Sequence, residues 1–397
     1  MDIKDRLPLL LDGATATNLI KAGMPPDMCA ELWMPEHPET FIALQKEFIA
    51  AGSGAILTPT GGANAQRLRG TPYEGRVWEL NELLCDISKE ALSEGVLLGG
   101  SLSFSGFSND PSEQPEFRHL AELYREQAVV LKASGVDFLY AESIMSLSQA
   151  RAVTLAGRST GLPVLVAVWL DSDGYLPSGT SFLSCLVTLE ALGAAAVGIN
   201  CTEDTAMIAE ILREAVAVSE IPLIAKPGVS EQTDADSFAE SMRPLLKSGA
   251  GIVGGCCGAA PEHIAALKKI LWEYTPTEPG GAGDYTALAS ENGVWFLQDI
   301  LLSDPIECGF SLADILIDRE DEEANVLRIR LTGLEDVERF IENIHMSNMP
   351  IALHAEDLET LEMALLCYPG RAIVDISSPV DETRLRITAA KYGAVVY

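Results

Sequence analysis

The chain has 397 residues, of which 48% are hydrophobic and 21% are charged, a balance typical of folded globular domains rather than of disordered or fibrous chains. The 58 acidic residues outnumber the 27 Lys and Arg residues, so the formal net charge is −31. Such a surface repels phosphate backbones and anionic lipid headgroups, which argues against nucleic-acid and membrane-surface partners. The length favours two domains over one.

The sequence shows no secretion signal or membrane-spanning run, which favours a cytoplasmic protein. The first residues, Met1–Arg6, do not combine basic residues with an apolar run, and no apolar run approaches the ~20 residues that a bilayer span needs. We therefore expect a cytoplasmic location, in which the eight cysteines are reduced thiols rather than a disulfide framework.

Apolar strands alternate with amphipathic helices over the first 270 residues or so. The strands lack polar alternation, as expected for a parallel sheet that is buried on both faces. Eight strands are predicted, at Leu9–Gly13, Ala55–Thr60, Val96–Ser103, Phe138–Ser143, Val164–Leu170, Ala195–Cys201, Pro222–Gly228 and Gly251–Cys257. The predicted helices include Pro38–Ala51, Arg76–Glu94, Phe117–Ser134, Leu147–Ser159, Asp204–Ser219 and Ala235–Ser248.

This count and length predict an α/β fold in which residues 1–274 form a (β/α)₈ TIM barrel. An open, doubly wound sheet is the alternative. Residues 275–290 are predicted to be a linker, because they begin with a segment rich in proline and glycine that lacks apolar periodicity.

Residues 291–397 are too few for a second complete barrel, so we expect a smaller open α/β domain or a partial barrel. Its strands are predicted at Val294–Asp299, Val326–Leu331, Ile351–His354, Ala372–Ile376 and Ala394–Tyr397. Its helices are predicted at Leu334–His345, Asp357–Leu366 and Glu382–Lys391.

Three cysteines fall at the carboxyl ends of barrel strands, where the chemistry of such barrels is located. Cys201 ends the sixth strand, and Cys256 and Cys257 end the eighth. Adjacent strand residues normally point to opposite faces, but glycines at positions 254, 255 and 258 permit backbone angles that let the two side chains converge. Three thiolates with one open position are typical of a catalytic zinc site.

The other five cysteines are predicted to be small apolar packing residues. They are Cys29, Cys85, Cys185, Cys308 and Cys367. The same interpretation stays open as the alternative for the three cysteines at the strand ends.

A thiolate-rich zinc site favours alkyl transfer to sulfur over hydrolysis. Three thiolates make zinc a poor activator of water, and none of the five histidines lies at a barrel strand end. A free thiol with a pKa of ~8.5 is only slightly ionised at pH 7, whereas metal binding removes its proton. The fourth position therefore suits a thiol substrate.

The sequence resembles the homocysteine S-methyltransferase family. The resemblance is carried by Gly198–Cys201, by Ile252–Gly258, by Pro261–Ile264 and by the opening Leu11–Thr17, together with Glu142, and it covers roughly residues 1–273. It implies a zinc-dependent (β/α)₈ barrel that methylates homocysteine to methionine, with Cys201, Cys256 and Cys257 as zinc ligands.

The resemblance also implies that Asp12 and Glu142 hold the amino-acid end of homocysteine. Both end predicted strands, so both face the barrel mouth, where an ammonium group needs an anionic partner. Asn64 and Ser178 lie on predicted mouth loops and are candidate substrate contacts. At Gly61, where the family commonly carries an aromatic residue, this chain has glycine.

In the second half, the stretch from Pro350–His354 through Tyr368–Arg371 to Lys391–Val396 is similar to the pterin-binding barrel that follows this domain in cobalamin-dependent methionine synthase. It departs from that family at His354-Ala355 and Asp375, where residues that bind pterin are expected, and the later strands are absent. We therefore expect a scaffolding or docking role for this half rather than folate binding.

The methyl donor is expected to be a methylcorrinoid carried by a partner protein. S-Methylmethionine or another sulfonium is the alternative donor, and a non-catalytic barrel that binds a thiol or a corrinoid protein is the alternative function. The sequence leaves open whether the chain forms a homo-oligomer.

Overall fold

The computed structural model describes residues 2–107, 115–275, 286–318 and 323–397 of the chain. These residues form two compact units. The first unit comprises Met1–Ser178 and Ala194–Gly280, and the second comprises Gly179–Gly193 and Gly281–Tyr397. Among the described residues, no helix combines the length and the hydropathy needed to cross a lipid bilayer.

The first unit contains one sheet of eight parallel strands. They are β1 (Leu9–Leu10), β2 (Ala55–Leu57), β3 (Leu97–Leu102), β4 (Phe138–Ile144), β5 (Val164–Val168), β6 (Ala196–Asn200), β7 (Leu223–Lys226) and β8 (Ala250–Val253). Each strand pairs with the next from β2 to β8, and β8 pairs with β1. This cyclic order is that of a barrel and confirms the predicted (β/α)₈ fold over the open alternative.

The barrel closes between β1 and β2 through individual hydrogen bonds rather than through a ladder. The Gly54 amide donates to the Leu10 carbonyl oxygen at 2.7 Å. The Leu57 amide donates to Oδ2 of Asp12 at 2.8 Å, and the Ser53 hydroxyl donates to the Leu11 carbonyl at 3.2 Å. A carboxylate oxygen thus takes the place of a strand carbonyl at this seam.

Nine helices of the first unit lie within its described residues. They are α1 (Ala16–Lys21), α2 (Ala30–Trp33), α3 (Pro38–Ala51), α4 (Val77–Lys89), α5 (Phe117–Ala133), α6 (Leu147–Arg158), α8 (Thr205–Val216), α9 (Ala235–Lys247) and α10 (Pro261–Leu271). The first two, which follow β1, were not predicted, because they are only six and four residues long. They lie on the loop that covers one side of the barrel mouth.

Side chains fill the inside of the barrel. Those buried there come from all eight strands and include Leu9, Leu11, Leu57, Leu97, Phe138, Tyr140, Leu165, Ile224 and Ile252. A filled interior of this kind is a core rather than a channel, so ligands bind at its rim.

The second unit holds a five-stranded parallel sheet in sequential order. Its strands are β11 (Ile306–Glu307), β12 (Leu327–Leu331), β13 (Ile351–Ala355), β14 (Ile373–Val374) and β15 (Val395–Val396), and its helices are α11 (Leu312–Asp318), α12 (Leu334–Asn343), α13 (Leu358–Cys367) and α14 (Glu382–Lys391). Parallel strands that pair strictly in chain order are the topology of part of a barrel. This confirms the expected smaller open domain or partial barrel.

Two details of this unit differ from the sequence-based expectation. The strand predicted at Val294–Asp299 is β10 (Val294–Phe296), which pairs antiparallel with β9 (Ala287–Ala289) in a separate hairpin. The predicted linker therefore ends in a strand, while its residues 276–285 lie outside the described part of the chain.

Helix α7 (Phe182–Ala191), which follows β5 in the chain, groups with the second unit. Val187 of this helix packs with Ala287, Ala289 and Phe296 of the hairpin. Its side chains are apolar on most faces, so the sequence alone did not indicate which sheet it would cover.

Candidate active site

Three cysteine side chains meet at the carboxyl ends of β6 and β8. The Sγ atoms of Cys201, Cys256 and Cys257 all lie within 4.8 Å of one another. Cys201 and Cys256 are joined as a disulfide with a Cα–Cα distance of 5.2 Å, and Sγ of Cys257 lies 3.8 Å from that of Cys201. The sequence-based expectation that these three residues converge agrees with the structure, and their role as metal ligands stays a prediction.

The backbone that brings the sulfurs together differs from the expected one. Glycines 254 and 255 do not adopt a positive φ; only Gly258 does, at +82°. Close packing explains the other two: a Cβ on Gly254 would lie 2.9 Å from the Asp12 carbonyl oxygen, and one on Gly255 would lie 2.3 Å from the Ala259 Cβ. The unusual conformation instead falls on Cys201 itself, whose φ is +60°.

A left-handed backbone at a non-glycine residue costs of order 1–3 kcal/mol and is concentrated at functional sites. At Cys201 this conformation turns the side chain towards Cys256. Cys256 follows β8, and one strand, β7, lies between β8 and β6. Ser143, at the end of β4, has a similar φ of +55°.

Asn200 orients the cysteine pair. Its Oδ1 accepts a hydrogen bond from the Ser143 amide at 2.9 Å, which fixes the direction of the side-chain amide. Its Nδ2 donates to the Ser143 hydroxyl at 3.0 Å and also lies 3.6 Å from Sγ of Cys201 and 3.7 Å from Sγ of Cys256. An N–H donor aimed at two sulfurs stabilises them as thiolates, which is the usual task of residues that surround a metal ligand.

The cysteine trio has the donor set of a soft metal site. Cys256 is buried, Cys201 is half-buried and Cys257 is exposed towards the cavity described below. A metal ion needs all three sulfurs as thiolates, so the form of the protein that fits the ion is the one in which the Cys201–Cys256 pair is reduced. Three sulfur ligands would leave a fourth coordination position of a tetrahedral ion for another ligand.

Two carboxylates stand beside the trio. Asp12 follows β1 and is 3% exposed, whereas the Glu142 side chain, near the end of β4, is 27% exposed. Oε1 of Glu142 accepts a hydrogen bond from the Ser101 hydroxyl at 2.7 Å. Burial raises the pKa of Asp12, and Lys226 and the Leu57 amide oppose that rise only in part.

Lys226 is the residue that sequence reasoning missed. It ends β7, and its Nζ lies 3.2 Å from Oδ1 of Asp12, 4.0 Å from Oε2 of Glu142 and 5.6 Å from the Tyr140 ring centroid. Burial alone would lower the pKa of Lys226, but the two carboxylates outweigh burial and raise it. A lysine that ends an otherwise apolar strand was the available signal, because a charge is buried in a barrel only when it is paired or functional.

A cavity of about 380 Å³ opens beside the three cysteines. Its lining includes both carboxylates and Lys226. It also includes residues from the loops that follow β1 and β2, among them Cys29, Glu31, Gly61, Gly62 and Arg67. This volume lies at the small end of ligand-binding cavities and suits a ligand of amino-acid size.

Cys29 has more polar surroundings than the predicted packing role implies. Its thiol donates a hydrogen bond to Oε2 of Glu31 at 2.8 Å, and it lines the cavity. Burial, with Glu31 adding to it, raises the pKa of Cys29 to about 11, so the residue stays a neutral thiol at pH 7.

Asn64 and Ser178 do not reach the cavity. Asn64 is fully buried, and its Oδ1 accepts a hydrogen bond from the Arg67 amide at 3.0 Å, which identifies it as a residue that shapes the loop. Ser178 is exposed and is absent from the cavity lining. Sequence position alone placed both on mouth loops but could not show which way their side chains point.

A sequence model of the family described as homocysteine S-methyltransferase matches residues 9–271. A methionine synthase of Mycobacterium leprae is 23% identical over 97% of this chain and 37% of its own length. Betaine–homocysteine S-methyltransferase 1 of Rattus norvegicus is 28% identical over 60% of this chain and 67% of its own length. The present chain thus spans well under half of the methionine synthase that it matches.

The barrel is also similar to a solved structure. The metallated form of the Escherichia coli homocysteine methyltransferase MmuM superposes with a TM-score of 0.57 at 23% identity, over 66% of this chain and 95% of that one. At this identity the likeness concerns the fold.

Proposed function

Because the chain belongs to the homocysteine S-methyltransferase family, we propose that its barrel transfers a methyl group to the sulfur of homocysteine and forms methionine. The observation that carries the proposal is the meeting of three cysteine sulfurs at the rim of a cavity lined by two carboxylates. Both the thiol and the amino-acid end of homocysteine find partners of matching chemistry in one small space.

We assign Cys201, Cys256 and Cys257 as ligands of a zinc ion. Their soft donor atoms, their spacing and the Asn200 amide beside them support this assignment. When bound, zinc would hold the acceptor sulfur as a thiolate at neutral pH. We assign the reaction to the cytoplasm, whose reducing conditions would convert the Cys201–Cys256 disulfide to the two thiols that a metal needs.

The amino-acid end of the acceptor is assigned to the two carboxylates. Glu142 lines the cavity and is held by the Ser101 hydroxyl, so little side-chain entropy would be lost when it binds a ligand. Asp12 lines the same cavity. The assignment leaves out Asn64 and Ser178, because neither side chain lines the cavity.

In the transfer step the acceptor sulfur forms a bond to the methyl carbon. The bond between that carbon and the donor breaks, and its electron pair leaves with the donor. A bound zinc ion would lower the pKa of the acceptor thiol so that its proton is lost to solvent, and no side chain of the cavity would then have to act as a general base.

The donor is proposed to be a methylcorrinoid carried by a partner protein. The match to methionine synthase over 97% of the chain supports this, since it extends through the second unit. Sulfonium compounds and betaine are the competing donors, the latter because of the likeness to betaine–homocysteine S-methyltransferase. A barrel that binds a thiol or a corrinoid protein without catalysis is the remaining alternative.

The test combines metal analysis with a methionine assay. Protein purified under reducing conditions should hold about one zinc per chain, and Cys257→Ser should lose zinc and methyl transfer while keeping its fold by circular dichroism. Cys367→Ser, in the second unit, is the matched control and should retain the metal. Reduced protein that binds no zinc, or a Cys257→Ser variant with full activity, would contradict the proposal.

The donor is identified in the same assay. Homocysteine is incubated in turn with a methylcorrinoid protein, S-methylmethionine and betaine, and methionine is measured. A zinc-loaded protein that binds homocysteine but forms methionine from none of the three would support the non-catalytic alternative.

A further inference from the structure

Two cations line the cavity although the proposed function gives neither of them a task. They are Lys226 and Arg67. In a chain in which 58 acidic residues outnumber 27 basic ones, two cations in one small cavity need a specific explanation. Their contacts indicate how the cavity recognises the two charges of its acceptor.

Lys226 already forms an ion pair with Asp12. One oxygen of Asp12 accepts from the Leu57 amide at 2.8 Å, and the other is bound by Nζ of Lys226 at 3.2 Å. A second ammonium group at this carboxylate would lie beside the first, and like charges at such a separation repel strongly where water is excluded. Asp12 is therefore a poor site for the ammonium group of a substrate.

Glu142 remains available. Its Oε2 lies 4.0 Å from Nζ of Lys226, which is beyond hydrogen-bond distance. Its Oε1 accepts a hydrogen bond from Ser101, and further lone pairs of the carboxylate can still accept hydrogen bonds. Together Asp12, Glu142 and Lys226 carry a net charge of −1, which matches one incoming ammonium group. Asp12 and Lys226 largely neutralise each other. The remaining negative charge is that of Glu142, the more exposed of the two carboxylates.

Arg67 has no carboxylate partner within 4.0 Å among the described residues. Its guanidinium carbon lies over the Phe104 ring, 4.8 Å from the ring centroid. The carboxylate of Glu31 is close by, but its oxygens accept hydrogen bonds from the Gly62 amide at 2.5 Å and from the Cys29 thiol at 2.8 Å. A guanidinium group offers five N–H donors, in a planar arrangement that matches a carboxylate.

Glu142 and Arg67 lie against neighbouring residues of one turn. A Cβ built on Gly61 would be 3.8 Å from Oε1 of Glu142, and a Cβ built on Gly62 would be 3.0 Å from the Arg67 guanidinium carbon. The Glu31 carboxylate also borders Gly62, with its Oε1 2.3 Å from the position of such a Cβ, so Arg67 shares this residue of the turn with Glu31. Glu142 and Arg67 thus border consecutive residues of one turn in the cavity wall.

We propose that Arg67 binds the α-carboxylate of the acceptor, while Lys226 neutralises Asp12 and leaves Glu142 to bind the α-ammonium group. This inference rests on the proposed function and extends it: the acceptors are thiols that carry a zwitterionic amino-acid end. A carboxylate at Arg67 has two sources, the acceptor or a donor such as betaine, and the neighbouring Glu142 favours the acceptor.

The test measures binding of three thiols to the reduced, zinc-loaded protein by calorimetry, with no methyl donor present. Homocysteine has both charges, 3-mercaptopropylamine lacks the carboxylate, and 4-mercaptobutyrate lacks the ammonium group. Arg67→Met keeps a long side chain but removes its charge. It should lower the affinity for homocysteine about 10- to 100-fold without changing the affinity for 3-mercaptopropylamine. Arg67→Lys should restore part of the loss.

Glu142→Gln should give the opposite pattern. It should lower the affinities for homocysteine and 3-mercaptopropylamine and leave the affinity for 4-mercaptobutyrate unchanged. Asp12→Asn should lower the first two affinities by less. Arg69→Met, a change to an exposed arginine two residues along the same loop, is the matched control and should change none of the affinities. Zinc content and melting temperature of every variant report whether the site is intact.

The outcomes separate the two proposals. If the wild-type protein does not bind homocysteine, the proposed function fails and this inference fails with it. If homocysteine binds to the wild type but Arg67→Met lowers the affinities for all three thiols equally, or changes none of them, only the inference is overturned. It is also overturned if Arg67→Met leaves the affinity for homocysteine unchanged and raises KM for the donor, because Arg67 would then bind the donor.

Discussion

Nζ of Lys226 lies 3.2 Å from Oδ1 of Asp12, and the two side chains are only 3% and 4% exposed. Residues 214 positions apart in the chain therefore form a charge pair where the strands of the barrel end. Removing one member of such a pair leaves an uncompensated charge in a site that excludes water, which costs far more than the pair contributes as a whole.

Lys226→Met should accordingly destabilise the protein by about 3–5 kcal/mol, because Asp12 is left buried without its cation. The double variant Lys226→Met/Asp12→Asn should recover most of this loss, since the asparagine oxygen can still accept from the Leu57 amide. Urea unfolding of the wild type, the two single variants and the double variant measures the coupling. A double variant as unstable as Lys226→Met would show that the charge pair is not the reason.

Gly198, inside β6, should not tolerate a larger residue. A Cβ there would lie 2.0 Å from the carbonyl oxygen of Ile224 on β7, so the two strands would have to separate. We expect Gly198→Ala to destabilise the protein by about 1–3 kcal/mol and to reduce its zinc content, because Cys201 ends the same strand segment. Gly309→Ala, where a Cβ meets nothing within 4 Å, is the control for thermal unfolding and should match the wild type.

The cysteines should differ sharply in reactivity. Burial raises the pKa of Cys85 and of Cys185 to about 12, whereas Cys257 is exposed towards the cavity. Iodoacetamide at pH 8 should therefore modify Cys257 of the reduced, metal-free protein and leave Cys85 and Cys185 unmodified until denaturant is added. Mass spectrometry of the peptides reads out the order. Zinc should protect Cys257, and unchanged labelling in the presence of zinc would argue against its role as a ligand.

Helix α13 should lose a stabilising contact in acid. Asp357 caps this helix, and the Thr360 amide that donates to its carboxylate at 2.9 Å holds the pKa of Asp357 below its ordinary value. A carboxyl whose pKa is lowered by folding stabilises the protein above its unfolded pKa, near 4, and the contribution is lost as the pH falls through the folded value.

The stability difference between the wild type and Asp357→Ala should thus be about 1 kcal/mol at pH 6 and should shrink towards pH 3. Asp357→Asn retains a capping oxygen that does not titrate, so its difference from Asp357→Ala should stay constant over the same range. Urea unfolding at each pH gives both values. A wild-type difference that does not vary with pH would exclude the ionised carboxylate as the source.

The barrel could be predicted because its signal is repeated eight times along the chain. Each strand is a short apolar run without alternation, and the positions of Cys201, Cys256 and Cys257 at strand ends follow once the strands are placed. The hairpin of β9 and β10 could not be predicted as such, since three-residue strands carry too little pattern to reveal their partners.

The site was less accessible to sequence reasoning than the fold. The left-handed backbone at Cys201 has no sequence signal, because nothing in a cysteine indicates a positive φ; of the three glycines expected to adopt unusual angles, only Gly258 does. The pairing of Lys226 with Asp12 depends on the register of the whole barrel, which fixes contacts between residues far apart in the chain. Local patterns locate the strand ends, whereas the contacts among side chains at those ends are tertiary.

The hydrogen bond from the Leu57 amide to Asp12, at the seam between β1 and β2, limits how this barrel could be re-engineered for other acceptors. A change at Asp12 would alter ligand recognition and weaken the closure of the cylinder together, so few replacements there would survive selection. Glu142 is joined to the scaffold by a single hydroxyl group, from Ser101. New preferences for the acceptor would therefore arise most readily at position 142, which can vary while the architecture stays intact.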